Sequence, residues 1–264
     1  AEQRPAQDRR DRRQCRDDDD RWDRPSLPTT TSNVIVDNGA GAPLIITAPV
    51  TVKKVTMAAG SSINLQEPIF STGVQGGFDL VQGTKSCSGN GAFVFNDPSP
   101  GPTILRADMS SCDLVVQQGN VNLVGDFANV RDLRLEGGFF STTNTVRVAG
   151  NFEMTGGSVL FMSGASDALL VSGDASFRGN QAWLTGGNVV VNGNLDVGAT
   201  SPAQFRMESP SHLTIGDTLQ SGGTRSITID PGSSMFVDSL TVQDGTTTVV
   251  GQLNVRRRLR QITS

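Results

Sequence analysis

Several residue types are scarce in this chain of 264 residues, which has no tyrosine, one histidine, two tryptophans and three cysteines. The single histidine, His212, is the one candidate for a His-dependent nucleophile or base, and no matched acid or nucleophile is spaced near it. No stretch approaches the roughly 18 consecutive apolar residues of a membrane-spanning helix. Glycine and proline recur every few residues outside residues 6–24, which nearly excludes long helices. These absences predict an all-β chain without a membrane span.

The charge balance argues against several classes of partner and cofactor. The net charge is -4 and the pI is about 5.0, which disfavours binding to nucleic-acid phosphates. The sequence has no Walker loop, no dinucleotide fingerprint and no GGxGxD calcium repeat. The acidic run at residues 17–20 would offer calcium ligands only if it were ordered. We therefore predict no cofactor, no metal and no nucleic-acid partner.

A short phrase of alternating apolar residues broken by a glycine recurs in the second half of the chain. Alternation with period 2 places every second side chain on one face of a strand. Self-similarity at 20–25 residues is typical of stacked supersecondary units. The phrases are VNLVGDFANV, VRVAGNFEM, LLVSGDASF, VVVNGNLDV and LTIGDTL, with Gly125, Gly150, Gly173, Gly193 and Gly216 at their centres. The fold predicted from them is a right-handed parallel β-helix, or β-solenoid, with a charged N-terminal arm.

Composition divides the chain into four segments. Residues 1–32 form a charged arm and a Pro/Thr-rich joint; residues 1–24 hold eight arginines and eight acids, a composition typical of disorder. Residues 33–112 are predicted to be a less regular β region. Residues 113–255 are predicted to form the regular coils, and residues 256–264 a basic tail.

The three cysteines carry different expectations. Cys87 and Cys112 are 25 residues apart, about one repeat, so they could lie on adjacent rungs roughly 5 Å apart. A disulfide is the preferred interpretation, and two buried thiols are the alternative. Cys15 lies in the charged arm, where it either forms an intermolecular bond or has no role. This cysteine usage favours a secreted or cell-surface location.

The two charged ends of the chain suggest contacts between copies. The first and last rungs of a solenoid expose unpaired backbone that can recruit another chain. The basic run at the carboxyl end is either a solvated cap or the partner of the acidic run in a neighbouring molecule. A contact of opposite charges from head to tail builds open fibres. The predicted assembly residues are Cys15, Asp17, Asp18, Asp19, Asp20, Arg256, Arg257, Arg258 and Arg260.

The phrases VSGDASF, VVVNGNLDV and LTIGDTL resemble the coils of secreted bacterial β-solenoids, such as autotransporter passengers and filamentous adhesins. They are more distantly similar to bactofilins, which are cytoskeletal β-helices. The resemblance covers about residues 114–255. It implies a parallel β-helix with an adhesive or scaffolding role, and it transfers no catalytic residue.

We therefore predict an extracellular, non-enzymatic structural protein, a self-assembling subunit of a fibre or surface layer whose partner is another copy of itself. The alternative is an adhesin or phage-tail-like solenoid that binds a cell-surface glycan or receptor through loops between Glu67 and Pro102. A polysaccharide lyase or hydrolase is the third hypothesis, because Asp167, Asp174, Asp196 and Asp217 recur near the repeat glycines. Turn-forming aspartates explain the same pattern, and the motifs of polygalacturonase-like enzymes are absent outside the arm.

Overall fold

The computed structural model describes most of the chain from residue 28 onward, together with one short strand in the arm. The described residues are 15–17, 28–39, 41–71, 77–96, 102–107, 109, 111–123, 128–142, 145–155, 159–162, 167–178, 181–197, 204–208, 211–221, 226–243 and 246–262. Within them the structure has strands and turns but no helix, so none of these residues forms a helix that could cross a membrane. The prediction of an all-β chain is confirmed.

The strands are short at first and lengthen near the carboxyl end. The first ten are β1 (Cys15–Asp17), β2 (Asn33–Val36), β3 (Leu44–Ile46), β4 (Val50–Val52), β5 (Lys54–Met57), β6 (Ser62–Leu65), β7 (Ile69–Ser71), β8 (Gly77–Leu80), β9 (Thr84–Cys87) and β10 (Ala92–Asn96). The next ten are β11 (Pro102–Ala107), β12 (Asp113–Gln118), β13 (Asn120–Leu123), β14 (Ala128–Val130), β15 (Leu133–Leu135), β16 (Phe139–Thr142), β17 (Thr145–Val148), β18 (Phe152–Met154), β19 (Val159–Met162) and β20 (Ala168–Val171). The last ten are β21 (Ala175–Phe177), β22 (Gln181–Thr185), β23 (Asn188–Val191), β24 (Leu195–Val197), β25 (Gln204–Glu208), β26 (His212–Ser221), β27 (Ser226–Ile229), β28 (Ser234–Gln243), β29 (Thr246–Val249) and β30 (Gln252–Ile262).

Successive strands belong to three faces in turn, and each strand pairs with the strand one coil away. The first face is a 12-stranded sheet in the order β1-β2-β5-β8-β11-β13-β16-β19-β22-β25-β27-β29. All of its pairings are parallel except that of β1, which is antiparallel to β2. Connected parallel strands stacked in this way form a β-solenoid. The predicted fold class is therefore confirmed in its architecture.

The second and third faces merge near the carboxyl end. The second face begins as the sheet β3-β6-β9 and continues from β14 through β17, β20 and β23. The third face runs from β4 through β7, β10, β12, β15, β18, β21 and β24. Strands β26, β28 and β30 are long enough to pass through the corner between the two faces, and their pairing shifts register there. The 15-stranded sheet results from this continuity.

The register corrects one part of the sequence interpretation. The described glycine phrases pass from the second face to the third, since Gly150 lies between β17 and β18 and Gly216 lies at the register shift within β26. Val130 pairs with Val148 and Leu133 pairs with Phe152, so one coil separates these positions. The position equivalent to Gly150 in the preceding coil is therefore Arg131, whose carbonyl oxygen accepts a hydrogen bond from the Gly150 N–H at 2.7 Å. The interval of 25 residues from Gly125 is not a coil repeat.

Inward side chains form continuous columns through the solenoid. One column runs along the second face and contains Val130, Val148, Val171, Val191, Ile215, Val237 and Val255. Aromatic rings fill the wider parts, with edge-to-face contacts between Phe78 and Phe95 and between Phe152 and Phe177 at centroid distances of 4.9 and 5.8 Å. β-branched residues suit such a pleated, buried surface. One continuous core extends from β2 to β28, and Ala92, Val94 and Val115 form a separate small buried cluster.

The predicted boundary at residues 112–113 lies inside continuous sheet. Strand β12 pairs with β10 before it and with β15 after it, and β13 pairs with β11. The second face differs, because among the described residues the coil after β9 contributes only a bridge between Met109 and Val130. A disulfide joins Cys87 to Cys112 at this interruption, with a Cα–Cα distance of 5.0 Å. A covalent bond therefore spans the place where the strand ladder is missing.

Candidate interaction surface

A ladder of Asp and Asn side chains follows the corner between the second and third faces. The Asn151 backbone N–H donates to Asp132 Oδ1 at 2.7 Å, and the Asp174 N–H donates to Asn151 Oδ1 at 3.0 Å. The next rung repeats the contact, since the Asn194 N–H donates to Asp174 Oδ1 at 2.8 Å. The last one is longer, from the Thr218 N–H to Asn194 Oδ1 at 3.4 Å. At this corner the backbone N–H groups have no strand partner, and the side-chain oxygens accept their hydrogen bonds instead.

The repeat glycines leave room for this ladder. A Cβ atom on Gly173 would lie 2.5 Å from Asn151 Oδ1, and one on Gly193 would lie 2.3 Å from Asp174 Oδ1. The glycine N–H groups form their own column, with Gly173 N to Gly150 O at 2.9 Å and Gly193 N to Gly173 O at 3.0 Å. The pairing of glycine with a following Asp or Asn is therefore a packing requirement of the corner.

The aspartates considered for glycoside chemistry occupy separate structural positions. Asp174 belongs to the corner ladder, and Asp196 lies 3.5 Å from Arg178 across one rung. Asp217 accepts a hydrogen bond from the Thr218 hydroxyl at 3.3 Å, and Asp167 is buried. His212 Nδ1 lies 2.7 Å from the Ser234 hydroxyl. Within the described residues, no three Asp, Glu, His or Cys side chains lie close enough together to hold a metal ion.

An open polar groove lies on the outer surface of the third face beside the ladder. Its floor includes Ser176, which stands between Glu153 and Asp196 on neighbouring rungs. Glu153 is 3.4 Å from Arg134, so charges of both signs flank the groove. Small and charged side chains of this kind can contact a polar ligand such as a sugar.

Outer ion pairs of this type recur along the solenoid. Arg131 Nε donates to Asp113 Oδ1 at 2.6 Å, and Arg206 donates to Asp230 Oδ2 at 2.7 Å from its Nη2. These hydrogen bonds raise the pKa of both arginines, and burial acts in the opposite direction. Because these groups are near the surface, solvent screens them and such pairs contribute little to stability.

The carboxyl end of the solenoid exposes its core. Leu259 is in register with Leu240, which is 2% exposed, but Leu259 itself is 67% exposed. On the first face Val249 is in register with the fully buried Ile229, yet Val249 is 39% exposed. Val255, on the remaining face, is half-buried. The last described coil therefore has apolar side chains in core positions with no described coil beyond it to cover them.

Arginines surround this end. Arg256, Arg257, Arg258 and Arg260 are all exposed and lie within β30, so the predicted basic tail is the outer strand of the sheet as far as Ile262. Arg257 Nη1 lies 3.2 Å from Asp238 Oδ2, whereas Arg258 and Arg260 are in register with Ser239 and Thr241. The arginines were predicted from the sequence but Leu259 was not, although its place in the run RRRLRQI is the available signal.

The predicted contacts in the arm are described only in part. The backbone of Cys15, Arg16 and Asp17 forms β1, in register with Val36, Ile35 and Val34 of β2. This strand covers the first edge of the first face within the same chain. Asp18, Asp19 and Asp20 lie outside the described residues, as do the side chains of Cys15 and Asp17. Their predicted contacts with a neighbouring molecule stay predictions.

The fold defines a β-solenoid protein, and one known protein is similar to the chain in sequence. It is "Outer membrane protein A" of Rickettsia conorii, which is 27% identical over 205 residues covering 73% of this chain. The match spans only 10% of that protein's length. No protein-family profile matches the chain. No solved structure matches it either.

Proposed function

We propose that this chain is a structural β-solenoid module at a bacterial cell surface and that it self-associates into a fibre or surface layer. The surface location is supported by the similarity to a rickettsial outer membrane protein and by the resemblance of the coils to secreted adhesins. Its role is mechanical: parallel rungs hydrogen-bonded along three faces resist extension, and a disulfide reinforces the interrupted face.

The observation that carries the proposal is the stack of parallel rungs around one continuous core, with apolar side chains in core positions as far as the last described coil. Large apolar side chains at a solvent-accessible end usually mark a contact surface. In the last described coil, β29 pairs with β27 and β30 with β28, and no other strand among the described residues pairs with either. Unpaired strand edges recruit further strands. Self-association satisfies both the apolar side chains and the backbone groups.

Binding to a glycan or receptor is the second candidate function. The groove beside Ser176 favours it, since polar and charged side chains surround a small floor residue. This function predicts particles that do not assemble and glycan binding that is lost when Ser176→Trp fills the groove. We also propose that the module is not an enzyme, because Asp174 serves the corner ladder and Asp196 pairs with Arg178.

Negative-stain microscopy of the 264-residue protein, with and without reductant, tests the proposed assembly. We expect fibres or sheets for the intact protein and a folded core without assemblies after deletion of residues 1–24. Because reductant also opens the bond between Cys87 and Cys112, a bond between copies through Cys15 would be indicated by loss of fibres in a Cys15→Ser variant that keeps that disulfide.

A second variant tests the role of the arm's acidic charges without removing strand β1. Asp18→Asn, Asp19→Asn and Asp20→Asn together remove the charges but leave residues 15–17 in place. Loss of fibres in this variant would support pairing of charges between copies. Fibres that persist after deletion of residues 1–24 would contradict the role of the arm, and discrete particles under all conditions would favour the adhesin function.

A further inference from the structure

We propose that the outer surface of the second face, around His212 and Phe236, binds a neutral oligosaccharide. This inference rests on the second candidate function, glycan binding, and assigns it to a surface other than the groove beside Ser176. The surface belongs to three adjacent strands, β23 and the second-face parts of β26 and β28. We call it the second-face patch, and its residues are Asn188, Val190, His212, Thr214, Ser234 and Phe236.

The alternation of buried residues places the second-face patch on the outer side of the sheet. Side chains of a strand point to the two sides in turn, so the residues between the core positions face outward. The core positions of these strands are at most 3% exposed, and they are Val189, Val191, Leu213, Ile215, Met235 and Val237. Strand β20 pairs with β23 on one side and β30 pairs with β28 on the other. The patch is therefore the outer surface of a stacked section and not an end of the solenoid.

The imidazole ring of His212 is held in a fixed orientation. Its Nδ1 atom lies 2.7 Å from the hydroxyl oxygen of Ser234, the residue in register on the next strand. Ser234 is 8% exposed, and its backbone N–H donates to the Ser211 carbonyl oxygen at 3.0 Å. Within the described residues Nε2 has no hydrogen bond. Because His212 is exposed, this nitrogen can donate to or accept from a ligand, according to the tautomer.

Phe236 adds an apolar surface beside these polar groups. It is 44% exposed, and it is the only aromatic residue among the large hydrophobic side chains that are exposed in the described part of the chain. It is in register with the exposed Thr214, two residues along the strand from His212. An open groove whose lining includes Thr214, Gly216 and Phe236 borders the patch at the corner. An aromatic ring at the edge of a groove is a common element of small-ligand sites.

This combination of groups matches the chemistry of a sugar ring. A pyranose has a face of C–H groups and a rim of hydroxyls, and each hydroxyl both donates and accepts hydrogen bonds. The Phe236 ring can pack against the C–H face. His212, Thr214 and Asn188 each have groups that donate and groups that accept, as the hydroxyl rim requires.

Charge favours a neutral sugar over an acidic one. None of the six residues of the second-face patch is Asp, Glu, Lys or Arg. The outer side of the third face differs, since Glu153 and Asp196 flank Ser176 there. A phosphate, sulfate or carboxylate group on a ligand binds best to arginine or lysine, which the patch lacks.

The size of the second-face patch favours a small ligand over a protein. Three strands about 4.8 Å apart and four residues of about 3.3 Å each cover roughly 200 Å². A stable protein interface buries about 800 Å² on each partner. A short oligosaccharide needs no more surface than the patch provides.

The first experiment uses the single histidine as a local reporter. The chain has one histidine, so protein without a histidine tag and with isotope-labelled histidine gives one imidazole signal in an NMR spectrum. The intact 264-residue protein is titrated in turn with cellohexaose, chitohexaose and maltohexaose. We expect at least one of these neutral oligosaccharides to shift the signal in a saturable manner. Hexagalacturonate, which is acidic, should leave the signal unchanged at the same concentrations.

A pair of variants locates the contact. Phe236→Ala removes the aromatic ring, and Ile45→Ala is the matched control because Ile45 is 50% exposed in β3 of the same face, far from the patch. Calorimetric titration with the oligosaccharide that binds should show an affinity about tenfold or more lower for Phe236→Ala and within about twofold of wild type for Ile45→Ala. Because both side chains are already exposed, circular dichroism should show both variants folded.

The outcomes separate this inference from the second candidate function. Binding that Ser176→Trp abolishes and Phe236→Ala leaves intact would overturn the inference and leave glycan binding standing at the groove. A signal shifted by hexagalacturonate but by none of the neutral sugars would overturn the neutral ligand. Neutral oligosaccharides that bind neither wild-type protein nor any variant would overturn the inference. Failure of the protein to self-associate has no bearing on this site.

Discussion

Asn151 Oδ1 accepts a hydrogen bond from the backbone N–H of Asp174 at 3.0 Å, one coil further along the chain. The same contact joins Asp132 to Asn151 and Asp174 to Asn194. A corner in a solenoid interrupts the regular strand ladder, and each interrupted backbone donor must find another acceptor. The side-chain ladder provides it, and the glycines of the following rungs, Gly150, Gly173 and Gly193, leave space for the Asp132, Asn151 and Asp174 side chains.

Gly173→Ala should destabilise the solenoid. The added Cβ would lie 2.5 Å from Asn151 Oδ1 and 2.6 Å from the Gly150 carbonyl oxygen, and neither atom can move without breaking a ladder contact. We expect a loss of about 2 kcal/mol in the free energy of unfolding, measured by urea denaturation. Ser172→Ala, at the exposed neighbouring position, is the control and should change it by less than about 0.5 kcal/mol. Equal effects would argue against the packing requirement.

Asn194→Asp should weaken the ladder by placing carboxylates on adjacent rungs. Asn194 Nδ2 lies 3.2 Å from Asp174 Oδ1, so the substitution replaces a donor with a negative charge. Repulsion between carboxylates about 5 Å apart costs about 1 kcal/mol in a solvated site. Thermal unfolding should show the loss at low salt and a smaller loss at 1 M salt. Asn192→Asp, an exposed site outside the ladder, should have little effect.

Asp174→Ala and Asp196→Ala distinguish structural from catalytic carboxylates. Asp174→Ala removes the acceptor of the Asn194 N–H, so we expect about 1 kcal/mol of destabilisation. Asp196→Ala removes only an exposed ion pair with Arg178 and should be nearly neutral. A polysaccharide-cleaving activity that disappears in the folded Asp196→Ala variant would contradict the proposal that the module is not an enzyme.

Replacement of both Cys87 and Cys112 by alanine should loosen the interrupted part of the second face. The bond closes a segment with a sequence separation of 25 residues, which corresponds to about 3.5 kcal/mol of stabilisation in the chain-entropy description. Hydrogen exchange should increase first in β9 and near Met109, where the described residues of the second face form a single bridge in place of a strand pairing. Strand β20, which is paired on both sides, serves as the internal reference. A uniform increase along the chain would contradict a local role.

The sequence contained enough information for the architecture but not for the register. Alternating apolar residues around Gly150, Gly173 and Gly193 predicted stacked strands because inward columns require period 2. The phrase around Gly125 misled the repeat because it has the same local pattern, yet the strand after it, β14, lies on the second face, whereas β18, β21 and β24, which follow the next three glycines, lie on the third face. Only long-range pairing distinguishes the two. The strand at residues 15–17 was not predicted, since its charged composition is typical of disorder.

The corner ladder and the core position of Leu259 could not be predicted from the sequence and became visible only in the structure. An Asp or Asn after each repeat glycine is visible in the sequence, but turn preference explains that pattern equally well. Leu259 is surrounded by arginines, and its core position becomes apparent only from its register with Leu240. Cys87 and Cys112 were the exception, because a spacing of about one coil was sufficient to suggest that they are adjacent.

The most direct test of the self-association claim is sedimentation velocity of the 264-residue protein over a range of concentrations. The proposed function predicts species larger than a monomer whose share rises with concentration and falls with salt, because opposite charges contribute to the contact. A single monomeric boundary at every concentration would contradict it.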